Sequence, residues 1–150
     1  MSAKQSSNKI FMVEPREFYS NPQTEGSNHY QMKSVNDEKQ LIIDKALIEF
    51  HNFKNNLEKN GVEILCLKGI EGCPDHIFPN WFTTFEDKTM QIFPMNAENR
   101  RKEKTPAMIN NLRESYKIQS DYSYLELEDI YLESTSSMVF DRVNRIVYAT

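Results

Sequence analysis

Residues 73–101 read CPDHIFPNWFTTFEDKTMQIFPMNAENRR, and the rest of the chain is framed around them. Two apolar segments, 81–85 and 90–93, flank Glu86-Asp87-Lys88-Thr89, the pattern of two short strands joined by a polar turn. Pro94 ends the second strand because it has no N–H for a ladder. Residues 97–104 follow as a short charged helix. Thr105-Pro106 then supplies a cap and a proline at the first helical position, opening a helix to about residue 115 with Met108, Ile109 and Leu112 on its inner face. Residues 116–118 read as a strand, and 121–130 stay open between irregular chain and strand.

Upstream, Ile42, Ala46, Phe50, Phe53 and Leu57 recur at helical spacing within residues 37–60, which predicts an amphipathic helix that covers a sheet. Ser34 or Asn36 can cap its start, and Asn60-Gly61 suits a left-handed stop. Residues 10–13 and 62–67 read as buried strands. The polar tract 16–35 has loop chemistry, and Asn28, His29, Tyr30 and Gln31 either reach a site or are surface polarity. Residues 1–9 read as a disordered leader, which leaves 10–150 as one domain.

The end of the chain resembles its middle. Residues 85–93 and 140–148 each hold an aromatic, an acidic turn and an apolar strand closing on a second aromatic, and an acid precedes each, Asp75 and Glu133. A repeated strand-turn-strand unit with a helix between copies, in a modular α/β array, accounts for this, with chance likeness of two hairpins as the alternative.

A net charge of -4 over 150 residues offers no surplus of cations to displace counterions, so nucleic acid is not the expected partner. No apolar run is long enough to cross a bilayer, and the N-terminus lacks a signal-peptide core. A soluble, cytosolic protein with reduced thiols at Cys66 and Cys73 is expected.

Asp75, Asn80 and Glu133 are the candidate site residues. Two convergent carboxylates suit a planar guanidinium or ureido group, since each accepts two N–H bonds; taken singly, an acid in a loop is usually solvated or caps a helix. The spacing of Cys66, Cys73 and His76 fits no usual zinc pattern, so no metal is expected. A Cys73–His76 nucleophile pair would require the two side chains to face each other. Arg100 and Arg101 read as the solvated face of a helix.

Three segments, PDHIFPNWFTTFEDKTMQIFPMNAENRRKEK (74–104), LESTSSMVFDRVNRIVYA (132–149) and MVEPREFYSNPQTEGSNHYQ (12–31), resemble in order and spacing the amidinotransferase and arginine deiminase-related group, closest to the citrulline-utilisation hydrolases. The resemblance covers residues 11–150. It implies the pentein fold, a five-bladed α/β propeller of strand-strand-helix-strand modules, of which this chain would be roughly the N-terminal half. It also implies a cysteine attack on the guanidinium or ureido carbon of an arginine-like substrate, assisted by a histidine, without metal or organic cofactor. By position, Asp75, Phe78 and Asn80 match substrate-binding residues and Glu133 a catalytic acid. Departures stand beside these matches. One Asn of the FPNNW loop is missing before Trp81, Ser134 and Ser136 replace two glycines, and the family's nucleophilic Cys and catalytic His have no counterpart here.

The expected function is therefore a fragment or degenerate copy of such a hydrolase, binding a small guanidino or ureido amino acid and relying on a complementing C-terminal half or on self-association. The alternative is a non-catalytic binding or interaction module derived from the same family.

Overall fold

The computed structural model describes residues 4–26 and 39–149. The loop residues Asn28, His29, Tyr30 and Gln31, and the helix caps Ser34 and Asn36, lie outside the described residues. The chain divides into two compact units, Asn8–Pro79 and a second formed by Met1–Ser7 with Asn80–Thr150.

In the first unit, β1 (Lys9–Glu14), α1 (Lys39–Lys59) and β2 (Glu63–Lys68) follow one another. β1 and β2 pair in parallel from Lys9↔Glu63 to Glu14↔Lys68, a pairing that requires a crossover, which α1 supplies. Gly61, at φ 82, takes the left-handed turn that stops α1, and its N–H is satisfied by the Glu58 carbonyl at 3.0 Å. α1 departs from expectation at one position. Phe50 is buried, whereas Phe53 is 59% exposed. A step of three residues turns the helix by 300°, which swings Phe53 off the inner stripe, and Lys54 follows Phe50 there instead.

The second unit starts with the expected hairpin, β3 (Phe82–Thr84) and β4 (Thr89–Ile92), antiparallel from Phe82↔Ile92 to Thr84↔Met90. Two helices follow, α2 (Glu98–Arg101) and α3 (Pro106–Arg113), and then β5 (Lys117–Asp121), which pairs with β4 in parallel. Thr105 caps α3 by accepting the Met108 N–H at 3.2 Å, with Pro106 inside the first turn. Met108 and Leu112 are buried, Ile109 only partly. Strands β3, β4 and β5, with helices between the last two, thus make one complete strand-strand-helix-strand unit. In the first unit, β1–α1–β2 repeats the parallel, helix-linked half of that plan.

The ambiguous tract 121–130 forms a 3₁₀ turn, Ser123–Glu128, closed by Asp129 in the left-handed region. After α4 (Ser134–Ser137) a second hairpin follows, β6 (Met138–Asp141) and β7 (Ile146–Ala149). The two hairpins do share a turn device. The residue before the second strand has positive φ in both, Lys88 at 63° and Arg145 at 59°, the bulge-type closure that fits right-handed strand twist. An aspartate holds each turn: Asp87 Oδ1 accepts from the Thr89 N–H at 3.0 Å, and Asp141 Oδ1 from the Asn144 N–H at 2.9 Å. Both carboxyls are thereby held below the usual aspartate range, mainly by the side-chain hydrogen bonds from Thr89 and Asn144.

Candidate functional site

Asp75 lies in the loop that leaves β2. Its Oδ2 accepts from Asn21 Nδ2 at 2.7 Å and from Thr24 Oγ1 at 3.3 Å. Asn21 is fully buried, and its own Oδ1 accepts the Gln23 N–H at 3.0 Å, which turns its amide donor toward the carboxylate. Oδ1 of Asp75 receives no hydrogen bond from the described residues. Nearby, the Tyr19 phenol is pushed up by burial first, then by the charge of Glu17 and its hydrogen bond, with Asp75 adding further negative charge. The Lys39 ammonium lies over the Tyr19 ring at 4.3 Å. Phe78, three residues after Asp75, is half exposed.

His76 is buried, and its Nδ1 accepts the Ile70 N–H at 3.3 Å while its backbone N–H bonds to the Cys73 carbonyl. Packing around Gly69 is tight, since a Cβ there would meet the Glu14 carbonyl at 3.0 Å and His76 Nδ1 at 3.5 Å. The imidazole thus helps to shape the loop that carries Asp75. Cys66 is half-buried rather than fully buried, and burial pushes its thiol up, away from a reactive thiolate. Among the described residues, no group of three or more His, Cys, Asp or Glu is placed to hold a metal ion, and no helix is long and apolar enough to cross a membrane.

The second unit places Asn80 beside the Glu133 loop, where Thr135 Oγ1 donates to Asn80 Oδ1 at 2.9 Å. Glu133 precedes α4 and is held at both oxygens. Oε1 accepts the Asn96 N–H at 3.0 Å, while Oε2 lies 3.6 Å from Arg100 Nη1 and 3.4 Å from Ser136 Oγ. Arg100 is not on a solvated face. It is buried and forks onto Glu103, itself fully buried, through Nε at 3.1 Å and Nη2 at 3.4 Å. Arg101 is likewise engaged, donating to the carbonyls of Met95 and Asn96 at 3.0 and 2.9 Å and to Tyr131.

These contacts explain how residues 93–96 leave β4. Pro94 breaks the ladder, and charged side chains take over the backbone groups. Lys104 donates to the Phe93 carbonyl, Glu126 accepts the Met95 N–H, Arg101 binds two carbonyls and Glu133 accepts the Asn96 N–H. Lys104 also pairs with Glu126. Of these residues only Glu133 stands out in the sequence. Asn21, Arg100, Arg101, Glu103, Lys104 and Glu126 do not, because their partners are set by tertiary packing; the RRKEK run is the one visible signal.

Ser134 and Ser136 need no glycine-like backbone, since neither has positive φ. Buried Ser134 donates to the Phe82 carbonyl at 3.1 Å, and Ser136 to the Glu133 carbonyl at 2.8 Å. Trp81, next to Asn80, is fully buried, and its indole Nε1 has no acceptor among the described residues. A surface cavity of about 640 Å³ at the β3–β4 turn is lined by residues such as Lys88, Arg113 and Lys117 and includes neither Asp75 nor Glu133.

A family model described as N,N dimethylarginine dimethylhydrolase, eukaryotic, matches residues 14–150 and so includes every candidate acid. The chain belongs to this dimethylarginine dimethylhydrolase family. None of the curated proteins compared with it matches. Among solved structures it is similar to the substrate-bound N-terminal domain of ArgZ, an arginine dihydrolase from the ornithine-ammonia cycle in cyanobacteria, at 18% identity and TM-score 0.65 over 94% of this chain and 48% of that one. Unliganded AgrE matches at 18% identity and TM-score 0.65, over 94% of this chain and 19% of that one. The chain therefore spans about half of the first of these relatives and about a fifth of the second. At such identity the likeness establishes the fold, a mixed α/β arrangement like that of pentein arginine dihydrolase domains. The pentein superfamily expected from the three sequence segments is the one found.

Proposed function

We propose that this member of the dimethylarginine dimethylhydrolase family carries the substrate-holding, N-terminal half of a pentein site for a small guanidino or ureido amino acid such as arginine, a methylated arginine or citrulline. The observation that carries the proposal is the carboxylate of Asp75, anchored at Oδ2 by Asn21 and Thr24 and receiving no hydrogen bond at Oδ1 from the described residues. An anchored acceptor with one open oxygen suits a substrate N–H at fixed orientation and loses little entropy on binding. Phe78 follows Asp75 in the same unit; in the other unit Glu133, oriented by the Asn96 N–H and Arg100, is the family-matched catalytic acid, and Asn80 is a family-matched substrate-binding residue beside its loop.

Under this proposal the cysteine nucleophile and its histidine come from residues outside this sequence. Cys66 and Cys73 stay as thiols in a cytosolic setting and take no part in catalysis. A complementing segment would continue the propeller at β7. In support, β4 buries Met90 and Ile92 and is paired by β5, whereas Ile146, Val147 and Tyr148 on β7 are exposed.

The test is hydrolysis of L-arginine, L-citrulline and N,N-dimethylarginine, read as ammonia or dimethylamine release. The chain is assayed alone and with the separately expressed second half of a pentein relative, with ligand binding followed by calorimetry. Binding alone and turnover only with the added half are expected. Turnover by the chain alone that is lost in Cys73→Ala would contradict the proposal. Absence of binding in both settings would leave a non-catalytic interaction module as the better account.

A further inference from the structure

We propose that the outer edge of β6 is a strand-docking surface that the chain's own N-terminal segment, residues 4–7, occupies through Gln5. Among the described strands, β6 pairs only with β7, on one side. On its other side, Gln5 Nε2 donates to the Phe140 carbonyl at 2.7 Å, and Gln5 Oε1 accepts the Arg142 N–H at 2.9 Å. The carbonyl of one residue and the N–H of the residue two further on are the pair that a parallel neighbouring strand engages with a single residue. A primary amide carries the same donor and acceptor as a peptide group. One side chain thus makes the bonds of one strand residue across 135 positions of sequence.

The surroundings make this edge worth guarding. Val139 is 68% and Tyr148 60% exposed, and Val147 is exposed beside them. Exposed strand edges flanked by apolar side chains pair with other chains unless something covers them. Arg142 stiffens the site, because its guanidinium stacks over Phe140 at 5.4 Å and reaches the Thr84 carbonyl. Gln5 is the device that satisfies the edge, and the occupant it excludes is β6 of a second copy. This inference does not depend on what the site binds.

The experiment compares the full chain with Gln5→Ala and Gln5→Glu, by amide hydrogen exchange at Arg142 and by sedimentation velocity over a concentration series. In Gln5→Ala the Arg142 amide is expected to exchange about tenfold faster at low concentration, as for the loss of one ordinary hydrogen bond. A dimer absent from the parent is expected at high concentration. Gln5→Glu keeps the acceptor for Arg142 but not the donor for Phe140, and is expected to retain most of the protection. Adding Val139→Lys to Gln5→Ala places a charge on the strand and is expected to restore the monomer. Unchanged Arg142 exchange in Gln5→Ala would overturn the proposal. So would faster exchange with no change in association, or a parent that associates as strongly as the variant.

Discussion

The two candidate acids are held in opposite ways. Asp75, in the first unit, has one oxygen fixed by Asn21 and Thr24 and one that receives no hydrogen bond from the described residues, whereas Glu133, in the second, is contacted at both oxygens by Asn96, Arg100 and Ser136. The difference teaches that a carboxylate in a matching motif can have two kinds of work. An acid with an open oxygen can lose its charge at small structural cost and large cost to a ligand. An acid tied to a buried arginine and to a strand exit contributes to the fold whatever else it does.

The sharpest way to separate the two is to attack what stands behind Glu133. Glu103→Ala leaves Arg100 buried without its main partner, and removing one member of a buried pair costs about 3–5 kcal/mol. Thermal unfolding should show the largest drop for this variant, and the Asn96 amide should lose protection with it. Glu133→Gln is expected to cost less, about 1–3 kcal/mol, because it removes a charge-assisted partner from Arg100 and weakens the acceptor for the Asn96 N–H; urea titration measures it.

A smaller effect is expected from acid. The Asp87 and Asp141 carboxyls are depressed below the ordinary 3.8, so the folded turns bind a proton less readily than the unfolded chain. Their contribution is present above about pH 3.8 and lost as pH falls from there through the depressed values. Thr89 and Asn144 amide shifts should report both turns loosening over that acidic window, with little change in global stability because both carboxylates face water. The smallest stability effect belongs to Asp75→Asn, within about 0.5 kcal/mol, since the asparagine oxygen can still accept from Asn21 and Thr24. A cost above 2 kcal/mol for this variant would erase the contrast with Glu133.

Much of the fold is legible because it is locally encoded. Thr105-Pro106, Asn60-Gly61 and the hairpin at 82–92 act through residues a few positions apart, and each element forms where the pattern places it. Phe53 misleads because apolar spacing alone does not separate the inner stripe of α1 from its flank. Asp75, Asn80 and Glu133 are readable as loop polar residues. Their holders are not, since Asn21 reaches across 54 positions and Glu133 across 37 to the Asn96 N–H. Arg100 misleads most. A charge in an ENRRKEK run reads as solvated, and only the packed chain reveals that it is buried on Glu103. The second hairpin teaches the complementary lesson: its turn chemistry repeats that of the first, but the burial of β4 is not repeated on β7, because burial depends on neighbours that no local pattern encodes.

The most direct measurement is calorimetric titration of L-arginine, and separately L-citrulline, into the parent chain, Asp75→Asn and Glu133→Gln under conditions where all three are folded. The expected result is that Asp75→Asn weakens binding at least tenfold, the loss of a hydrogen bond to a charged group worth about 1.5–3 kcal/mol, without a change in unfolding midpoint, while Glu133→Gln lowers the midpoint. Equal affinity of Asp75→Asn and the parent for both ligands would contradict the assignment of the open oxygen to substrate.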